Sequence, residues 1–397
     1  MPLELVTGNH AAGHSLAVAG EANRSARGVV CGIYPITPQT EIVEFVARFP
    51  FTKGRVVPVE SEHSAMGVAI GGSVAGARAF TASSSNGLAY MAENVMVAGF
   101  YRLPIVMVAV NRTLGPPWNI WVDQGDTLML RDFPWIQLYC ESNQEVADTT
   151  LLAFRLAEDH RILLPALVAM DAFIVSHTQT ETDLAPQELV DRYLPPLELP
   201  HRIRPDDPRT IGGLAWPAES LSMRVEFDEA MQRVPEVYEE AREAFLDLFG
   251  RDPGAAVQPF ACDDADAVLV ATGTIATTAR EVVRRRRERG ERVGLIKMKM
   301  FRPFPADELV RLLEGADRVG VLDRNYAAGI GGVFGHDLKA AMQGRRDDLL
   351  VQDYLTGVCG GDVTPEMIDS VLDDLLERAS AGRPVWVGVE APEEARK

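Results

Sequence analysis

The sequence is poor in cysteine and histidine, and neither residue is arranged as a metal or cluster site. Its four cysteines are scattered through 397 residues, so no paired-cysteine motif is present. Cys31, Cys140 and Cys359 lie in apolar, strand-like stretches, and we expect them to be buried, unreactive thiols. The seven histidines include no H-E-x-x-H motif. The sequence therefore predicts no metal bound by this chain alone.

Basic residues and long apolar runs are also scarce. Acidic residues outnumber basic ones by 57 to 39, and the formal net charge of −18 argues against a nucleic-acid-binding face. No apolar run reaches the roughly 18 residues that a membrane-spanning helix requires, and the N-terminus lacks a basic segment followed by an apolar one. We therefore expect a cytoplasmic protein that binds neither nucleic acid nor membrane. The absence of a G-x-S-x-G elbow or a Cys–His signature argues against a hydrolase or acyltransferase.

The first part of the chain alternates short apolar segments with amphipathic ones. The predicted strands lie at 28–34, 56–59, 79–82, 104–110, 135–140 and 166–170. Helices of ten or more residues are predicted between most of them, which indicates a mostly parallel sheet covered on both faces. The fold class is therefore α/β, with a doubly wound domain predicted over residues 1–180.

A change of composition follows this domain. Residues 181–257 contain clustered prolines and one charged helix, predicted from about Glu226 to Phe249, as is typical of a connector. The alternation then resumes, with strands predicted at 267–271, 293–300, 318–323, 349–358 and 385–389. We predict a second, smaller doubly wound domain over residues 258–397.

Two motifs of the second domain have ordinary explanations. The glycine cluster at 329–332 lacks the third glycine of a dinucleotide fingerprint, because position 334 is Phe, so we do not expect NAD binding there. The arginine run at 284–287 is typical of the solvated C-terminal end of a helix, where the helix dipole favours positive charge.

The stretch Tyr34-Pro35-Ile36-Thr37-Pro38 stands between an apolar strand and an amphipathic helix. We predict that Thr37 is the N-cap of that helix and Pro38 its first residue. In an open parallel sheet this junction lies at the carboxyl end of a strand, where ligands bind. The free N–H groups of the helix start would suit an anion. Taken alone, the stretch is more typical of an ordinary strand-to-helix turn than of a ligand site.

Two charged residues follow neighbouring predicted strands. Glu62 comes after the strand at 56–59, and Arg112 comes after the strand at 104–110. Because parallel strands end at one edge of a sheet, we expect both side chains to lie near Thr37. An arginine and a hydroxyl are suited to a carboxylate ligand. The alternatives are a carboxylate that only complements a helix dipole and an arginine that only lies on the surface.

Several long motifs, in order, resemble one enzyme family. The chain resembles the α-chain of pyruvate:ferredoxin oxidoreductase and related 2-oxoacid:ferredoxin oxidoreductases in YPITP, ESEHSAMGVAIGGSVAGARAFTA, VNR followed by NIW and DQGD, WIQLYCESNQEVADT, ALVAMDAFIVSHT, GLIKMKMFRPFP, GVLDRN and GVCGGDVTPE. The resemblance implies a thiamine-diphosphate-binding pyrimidine-type domain and a transketolase C-terminal-like domain. It also implies oxidative decarboxylation of a 2-oxoacid with coenzyme A to an acyl-CoA and CO2, with electrons passed to ferredoxin.

The resemblance also implies roles for single residues. It puts the substrate threonine at Thr37, the substrate arginine at Arg112 and the cofactor-activating glutamate at Glu62, with Glu60 as the rival carboxylate. Further candidates are Asn119 for the substrate and Tyr34, Pro35, Ile36, Ser85 and Asn86 for the cofactor.

An active site shared with other chains is a further implication. A β subunit would hold the pyrophosphate and Mg²⁺, and γ and δ ferredoxin-like subunits or their equivalents would carry iron–sulfur clusters. Pyruvate is the expected substrate. An aryl or branched 2-oxoacid, such as phenylglyoxylate or 2-oxoisovalerate, is an alternative, because the residues at 113–119 and 85–87 depart from the pattern of pyruvate enzymes. A non-catalytic scaffold subunit is the remaining alternative.

Overall fold

The computed structural model describes residues 3–389, and its strands form three sheets. The strands are β1 Glu4–Thr7, β2 Val29–Ile33, β3 Gly54–Pro58, β4 Arg78–Ser83, β5 Val106–Asn111, β6 Ile136–Cys140, β7 Ala166–Asp171, β8 Gln179–Thr182, β9 Val257–Phe260, β10 Ala267–Ala271, β11 Val293–Met298, β12 Met300–Arg302, β13 Arg318–Asp323, β14 Leu350–Leu355 and β15 Val385–Trp386. The helices are α1 Gly8–Glu21, α2 Thr40–Arg48, α3 Glu62–Val74, α4 Asn86–Phe100, α5 Gly125–Leu128, α6 Asn143–Ala157, α7 Gln187–Tyr193, α8 Pro217–Phe249, α9 Gly273–Glu288, α10 Ala306–Leu312, α11 Val333–Met342 and α12 Pro365–Glu377. Residues 1–2 and 390–397 of the predicted domains lie outside the described residues.

The first large sheet has seven strands in the order β12-β6-β7-β5-β4-β2-β3. All neighbouring strands are parallel except β12, which pairs antiparallel with β6. The central strands β4, β5, β6 and β7 are buried at every residue. Strands buried on both faces need helices on both sides, which explains their continuous apolar runs.

The second large sheet has six strands in the order β15-β14-β13-β10-β11-β9. It is parallel apart from β9, which pairs antiparallel with β11. The predicted α/β class with two mostly parallel sheets is therefore confirmed. The single strand predicted at 293–300 is two strands, because the chain leaves the second sheet after Met298 and forms β12 on the first sheet.

A small sheet and the start of one helix differ from the prediction, because most of the side chains in these segments are exposed and give no apolar period. β1 and β8 form a small antiparallel sheet that was not predicted, and three of the four residues of β8 are exposed. Helix α8 begins at Pro217, well before the predicted Glu226, and its first ten residues are all exposed. Within residues 3–389, no helix is both long and apolar enough to cross a membrane.

The arginine run also differs in part from the prediction. Arg284 and Arg285 are half exposed at the end of α9, but Arg286 is buried, with only 9% of its side chain accessible. Its guanidinium donates to the carboxylates of Asp369 (2.6 Å) and Asp373 (2.7 Å) on α12. The prediction of a solvated run is therefore wrong for Arg286, which ties two helices together.

Buried charges join the two large sheets. Lys297 on β11 is 2% exposed, and its Nζ donates to both carboxylate oxygens of Glu145 at 2.6 and 2.7 Å and to Glu141 at 2.9 Å. The main chain adds a hydrogen bond from the N–H of Tyr139 on β6 to the carbonyl of Lys299 (2.7 Å). These contacts hold the second sheet against the edge of the first.

Candidate functional site

The Tyr34–Pro38 stretch forms a loop beyond β2. Helix α2 begins only at Thr40, and its N-cap is Gln39. The prediction that Thr37 caps the helix is wrong, because Gln39 closes the turn instead. The N–H of Gln39 donates to the carbonyl of Ile36 (2.9 Å), and its side-chain Nε2 donates to the carbonyl of Tyr34 (2.8 Å). Thr37 and Pro35 are exposed, and Tyr34 and Ile36 are half-buried.

Arg112 connects this loop to a second one. It follows the last residue of β5, and its Nη1 donates to the carbonyl of Thr37 (2.6 Å) while its Nε donates to the carbonyl of Asn119 (3.1 Å). Partial burial lowers the pKa of Arg112, and the nearby charge of Asp126 opposes that shift. Because an arginine remains charged in proteins, the loop edge carries a fixed positive charge.

Asp126, fully buried on the short helix α5, organises the loops that carry the candidate residues. Its Oδ2 accepts from the backbone N–H groups of Ser85 (2.8 Å) and Arg112 (3.0 Å). Its Oδ1 accepts from Asn111 Nδ2 and from its neighbour's N–H, both at 2.8 Å. Burial raises the pKa of Asp126 to about 7, although these N–H donors favour the charged form. Sequence reasoning missed Asp126, whose only signal is its place in the DQGD motif.

Ser85 and Asn86 are held by the chain segment that follows Arg112. Ser85 has a φ of 52°, and its hydroxyl donates to the carbonyl of Thr113 (2.5 Å). Asn86 makes a reciprocal pair with Gly115: its Nδ2 donates to the carbonyl (3.2 Å), and its Oδ1 accepts from the N–H (3.0 Å). The side chains of Ser85 and Asn86, which were predicted to contact the cofactor, therefore position the loop at 113–119.

Glu62 is the first residue of α3 and is 7% exposed. Ser61 caps the helix by accepting from the N–H of Ser64, as the predicted helix start requires. Helix α3 lies against β2 so closely that a Cβ at Gly32 would be 2.2 Å from the carbonyl oxygen of Ala65. In the described part of the chain, the carboxylate of Glu62 accepts no hydrogen bond.

Gly87 lies against the Glu62 carboxylate, which occupies space that a Cβ at position 87 would need. A Cβ at Gly87 would be 2.6 Å from Glu62 Oε1 and 2.6 Å from Ser83 Oγ. The Ser83 hydroxyl is itself buried without a hydrogen-bond partner among the described residues. The rival Glu60 differs, because it is exposed and its carboxylate accepts from the Ser64 hydroxyl, which lowers its pKa.

Asn119 links the site to the second sheet. Its Oδ1 accepts from the N–H of Trp121 (3.0 Å), and its Nδ2 lies 3.5 Å from the carbonyl oxygen of Cys359. Cys31 and Cys140 are buried as predicted, but Cys359 is exposed. The prediction for Cys359 is wrong because β14 ends at Leu355 and Cys359 lies in the single 3-10 turn that follows.

The structure thus brings Thr37, Arg112 and Asn119 into direct contact. Glu62 lies at the start of the neighbouring helix and contacts Gly87, within the segment whose Ser85 is bonded to Asp126. The candidate residues therefore form one edge, at which shared loops hold a fixed guanidinium and a carboxylate that accepts no hydrogen bond from the described residues.

Comparison with known proteins gives a consistent result. The family model described as pyruvate flavodoxin/ferredoxin oxidoreductase, thiamine diphosphate-binding, matches residues 21–243. The model for core domain II of pyruvate:ferredoxin oxidoreductase matches residues 265–368.

Two relatives cover almost the whole chain. The pyruvate synthase subunit PorA of Methanothermobacter thermautotrophicus is 38% identical over 99% of this chain and 100% of the relative. The ketoisovalerate oxidoreductase subunit VorA of Pyrococcus abyssi is 39% identical over 96% of this chain and 95% of the relative.

Solved structures share the fold at low sequence identity. A 2-oxoglutarate:ferredoxin oxidoreductase from Magnetococcus marinus, with 2-oxoglutarate, coenzyme A and succinyl-CoA bound, has a TM-score of 0.70 at 21% identity; the match covers 94% of this chain and 65% of that one. A split-gene transketolase has a TM-score of 0.56 at 14% identity, covering 94% of this chain and 99% of that one. From the matched models and relatives together, the chain belongs to the pyruvate flavodoxin/ferredoxin oxidoreductase family.

Proposed function

We propose that this chain is the α-type catalytic subunit of a thiamine-diphosphate-dependent 2-oxoacid:ferredoxin oxidoreductase. With its partner chains it converts a 2-oxoacid and coenzyme A to an acyl-CoA and CO2, and two electrons pass to ferredoxin. The observation that carries the proposal is Glu62, which is 7% exposed, accepts no hydrogen bond from the described residues and lies against Gly87, in the segment whose Ser85 and Asn86 are bonded to the loop after Arg112.

The residues around Glu62 fit the pyrimidine end of thiamine pyrophosphate. No described residue donates a hydrogen bond to the Glu62 carboxylate, so it is available to a ligand donor, and the absence of a Cβ at Gly87 lets the carboxylate keep its position. Glu62 would hold the aminopyrimidine by a hydrogen bond and exchange a proton with its ring nitrogen. Thiamine pyrophosphate, when bound, supplies the nucleophilic carbon and the electron sink for decarboxylation. Tyr34, Pro35 and Ile36 would form the neighbouring loop wall.

Arg112 and Thr37 would bind the carboxylate end of the 2-oxoacid. The Arg112 guanidinium donates to the carbonyls of Thr37 and Asn119, and these two hydrogen bonds fix its orientation. Its Nη2 is left to donate to a substrate oxygen. The Thr37 hydroxyl is not used as a helix cap and lies at the exposed edge beside it. Such a clamp orients the keto carbon and lowers the entropic cost of reaction.

Pyruvate is the proposed substrate, and 2-oxoisovalerate is a second candidate. Relatives whose names contain pyruvate synthase and ketoisovalerate oxidoreductase have nearly the same identity to this chain, 38% and 39%. The loop at 113–119 also carries Trp118, whose ring packs on Gly115 and which is 69% exposed. Turnover of the purified complex with pyruvate, 2-oxoisovalerate, 2-oxoglutarate and phenylglyoxylate, with a viologen acceptor, distinguishes the candidates.

The remaining parts of the reaction are assigned to partner chains. A β subunit would hold the pyrophosphate and Mg²⁺, and γ and δ ferredoxin-like subunits or their equivalents would carry the iron–sulfur clusters. The chain alone would therefore be inactive. Thiamine pyrophosphate and iron should both be present in the native complex, and their absence would contradict the proposal.

Glu62→Gln tests the catalytic role directly. Because the amide cannot exchange the proton, turnover should fall roughly 100-fold or more, while assembly with the partner chains is retained. The matched control is Glu60→Gln, in which an exposed carboxylate of the same loop is changed. Unchanged turnover in Glu62→Gln would instead support a non-catalytic scaffold subunit.

A further inference from the structure

The loop at 34–38 is also held by the first turn of α1. Asn9 is the second residue of that helix and is 1% exposed, and its Nδ2 donates to the carbonyl of Pro38 at 2.7 Å. Pro38 directly follows Thr37, whose own carbonyl accepts from Arg112 Nη1 at 2.6 Å. Two consecutive carbonyls of the loop are therefore each held by a side chain from a distant part of the chain, and the function proposed above uses only the contact of Arg112.

Asn9 does not cap its own helix. Thr7 is the N-cap of α1, and its Oγ1 accepts from the N–H of His10 at 3.1 Å. The Oδ1 of Asn9 is buried without a hydrogen-bond partner among the described residues. A buried polar atom without a partner lowers stability, so an apolar side chain would serve better if only packing mattered. What explains the amide is therefore the pair of acceptors that its Nδ2 contacts.

The backbone of Asn9 is fixed against the segment that follows β7. Its N–H donates to the carbonyl of Ser176 at 3.1 Å, and the N–H of Gly8 donates to the carbonyl of Val175 at 3.0 Å. A Cβ at Gly8 would be 2.6 Å from the Val175 carbonyl oxygen, so glycine allows this close approach. The amide that holds Pro38 therefore projects from a firmly placed part of the main chain.

Glu41 fixes which end of the Asn9 amide faces the loop. Asn9 Nδ2 also donates to Glu41 Oε2 at 2.8 Å. An ionised carboxylate and a carbonyl only accept hydrogen bonds, so a turned amide would set Oδ1 against two acceptors. Glu41 is the second residue of α2, and its Oε1 lies 3.3 Å from His177 Nε2. The carboxylate thus has a contact on either side, and it keeps the donor end of the amide toward Pro38.

We propose that Asn9 is a positioning residue for the binding of the 2-oxoacid, and that Glu41 fixes the orientation of its amide. This role rests on the function proposed above, in which Arg112 and Thr37 bind the substrate carboxylate. While Asn9 holds Pro38, the Thr37 carbonyl stays where Arg112 reaches it, and the guanidinium and the Thr37 hydroxyl keep one mutual geometry. A small displacement of such groups is enough to weaken substrate positioning.

Asn9→Ala tests this role in the complex purified with its partner chains. The KM for the 2-oxoacid should rise about 10-fold, as for the loss of one directed contact to a charged group, while kcat falls less than about 3-fold. The chemical step is spared because Glu62 lies on α3 and not on this loop.

The matched control is Asn23→Ala. Asn23 is also fully buried, and its Nδ2 donates to the carbonyl of Gly28 at 2.7 Å, the same kind of bond at the opposite end of β2. This variant should lower the midpoint of urea unfolding, as Asn9→Ala does, but leave KM unchanged. A measurement without turnover accompanies the kinetics: exchange of the Gln39 amide, bonded to the Ile36 carbonyl, should rise about 10-fold in Asn9→Ala and stay the same in Asn23→Ala.

A second pair of variants remains informative if Asn9→Ala does not fold. Glu41→Ala should raise KM about 3-fold, because the Asn9 amide is then free to turn away from Pro38. Glu44→Ala is its control, since both glutamates lie on α2 with 53% of the side chain exposed, and it should leave KM unchanged.

The double variant shows whether Asn9 acts through Arg112. In the Arg112→Ala background, Asn9→Ala should raise KM by a clearly smaller factor than in the wild type, because both changes affect the same substrate contact. An equal factor in both backgrounds, an unchanged KM in Asn9→Ala, or an equal rise in Asn23→Ala would overturn the role of Asn9 while the proposed function stands. No turnover of any 2-oxoacid by the wild-type complex would instead overturn the proposed function, and this role with it.

Discussion

Individual residues of the candidate site differ in whether their hydrogen-bonding groups are already used by the chain. The side chains of Ser85 and Asn86 donate hydrogen bonds to the loop after Arg112, so these residues affect the site by positioning that loop. Within residues 3–389, no group donates a hydrogen bond to the Glu62 carboxylate, and Arg112 Nη2 makes no hydrogen bond. This difference separates the residues that would touch ligand from those that position them.

Arg112→Ala should raise the KM for every 2-oxoacid, because the guanidinium addresses the carboxylate that all of them share. A charge-assisted hydrogen bond contributes about 1.5–3 kcal/mol, which corresponds to roughly a 10- to 100-fold change. Steady-state kinetics of the complex measure it. Arg48→Ala is the matched control, since Arg48 is an exposed arginine that forms an ion pair with Glu44 one turn away. An unchanged KM in Arg112→Ala would contradict the assigned role.

Asp126 should make the loops at 85 and 112 sensitive to pH. Burial raises its pKa from 3.8 to about 7, so the folded state holds the proton more strongly than the unfolded chain and this group favours folding less as pH rises from about 4 to 7. Protonation also has a local effect: while the carboxyl stays buried, its protonated Oδ2 accepts more weakly from the N–H groups of Ser85 and Arg112, so these two hydrogen bonds open more easily below pH 7. Amide exchange at Ser85 and Arg112, corrected for the intrinsic rate, should therefore increase as pH falls from 8 to 6.

The control for this experiment is Asp126→Asn, which does not titrate and should show no step near pH 7. The amide of Val59, bonded to the carbonyl of Ile33, provides an internal reference in both proteins. A step of equal size in the variant would assign the pH dependence to another group.

Among the structural elements, the contact between α3 and the start of α4 decides where Glu62 points. Gly87→Ala would put a Cβ 2.6 Å from Glu62 Oε1, so the carboxylate must move away from its position. Turnover should fall about 100-fold, as for a displaced acid–base group. The affinity of the complex for thiamine pyrophosphate should also fall.

Gly67→Ala is the control for Gly87→Ala. Gly67 lies on the exposed side of α3, and a Cβ there would be no closer than 3.7 Å to another residue. Removing a glycine from a helix interior should stabilise the chain by up to about 1 kcal/mol and leave turnover unchanged. Equal losses in both variants would show that the effect of Gly87→Ala comes from helix packing in general.

The molecule as a whole depends on the buried charges between its two large sheets. Lys297→Met leaves the buried Glu145 and the half-buried Glu141 without their shared partner, and should lower the free energy of unfolding by about 3–5 kcal/mol. Arg284→Met removes only exposed pairs with Glu281 and Glu288, which solvent screens, so its loss of stability should be much smaller than that of Lys297→Met. Urea unfolding followed by circular dichroism compares the two variants, and similar losses would contradict a role for Lys297 in joining the sheets.

The elements that could be predicted well are those with buried, apolar runs. β10 and β13 have the predicted bounds, 267–271 and 318–323, because each is an uninterrupted buried strand between polar turns. β8 and the first part of α8 could not be predicted, since exposed segments give no apolar period. The cap at Thr37 was wrong because the turn is closed by a glutamine side chain, which a capping preference does not anticipate.

The sequence by itself determined the fold class, the family and the placement of Glu62, Thr37 and Arg112 at strand ends, because these follow from local apolar periods and from continuous motifs. Only the tertiary structure decided that Arg112 donates to Thr37, that Asp126 holds both loops and that Gly87 makes room for Glu62. Each of these depends on the course of loops brought together from distant parts of the chain, and no local pattern encodes that course.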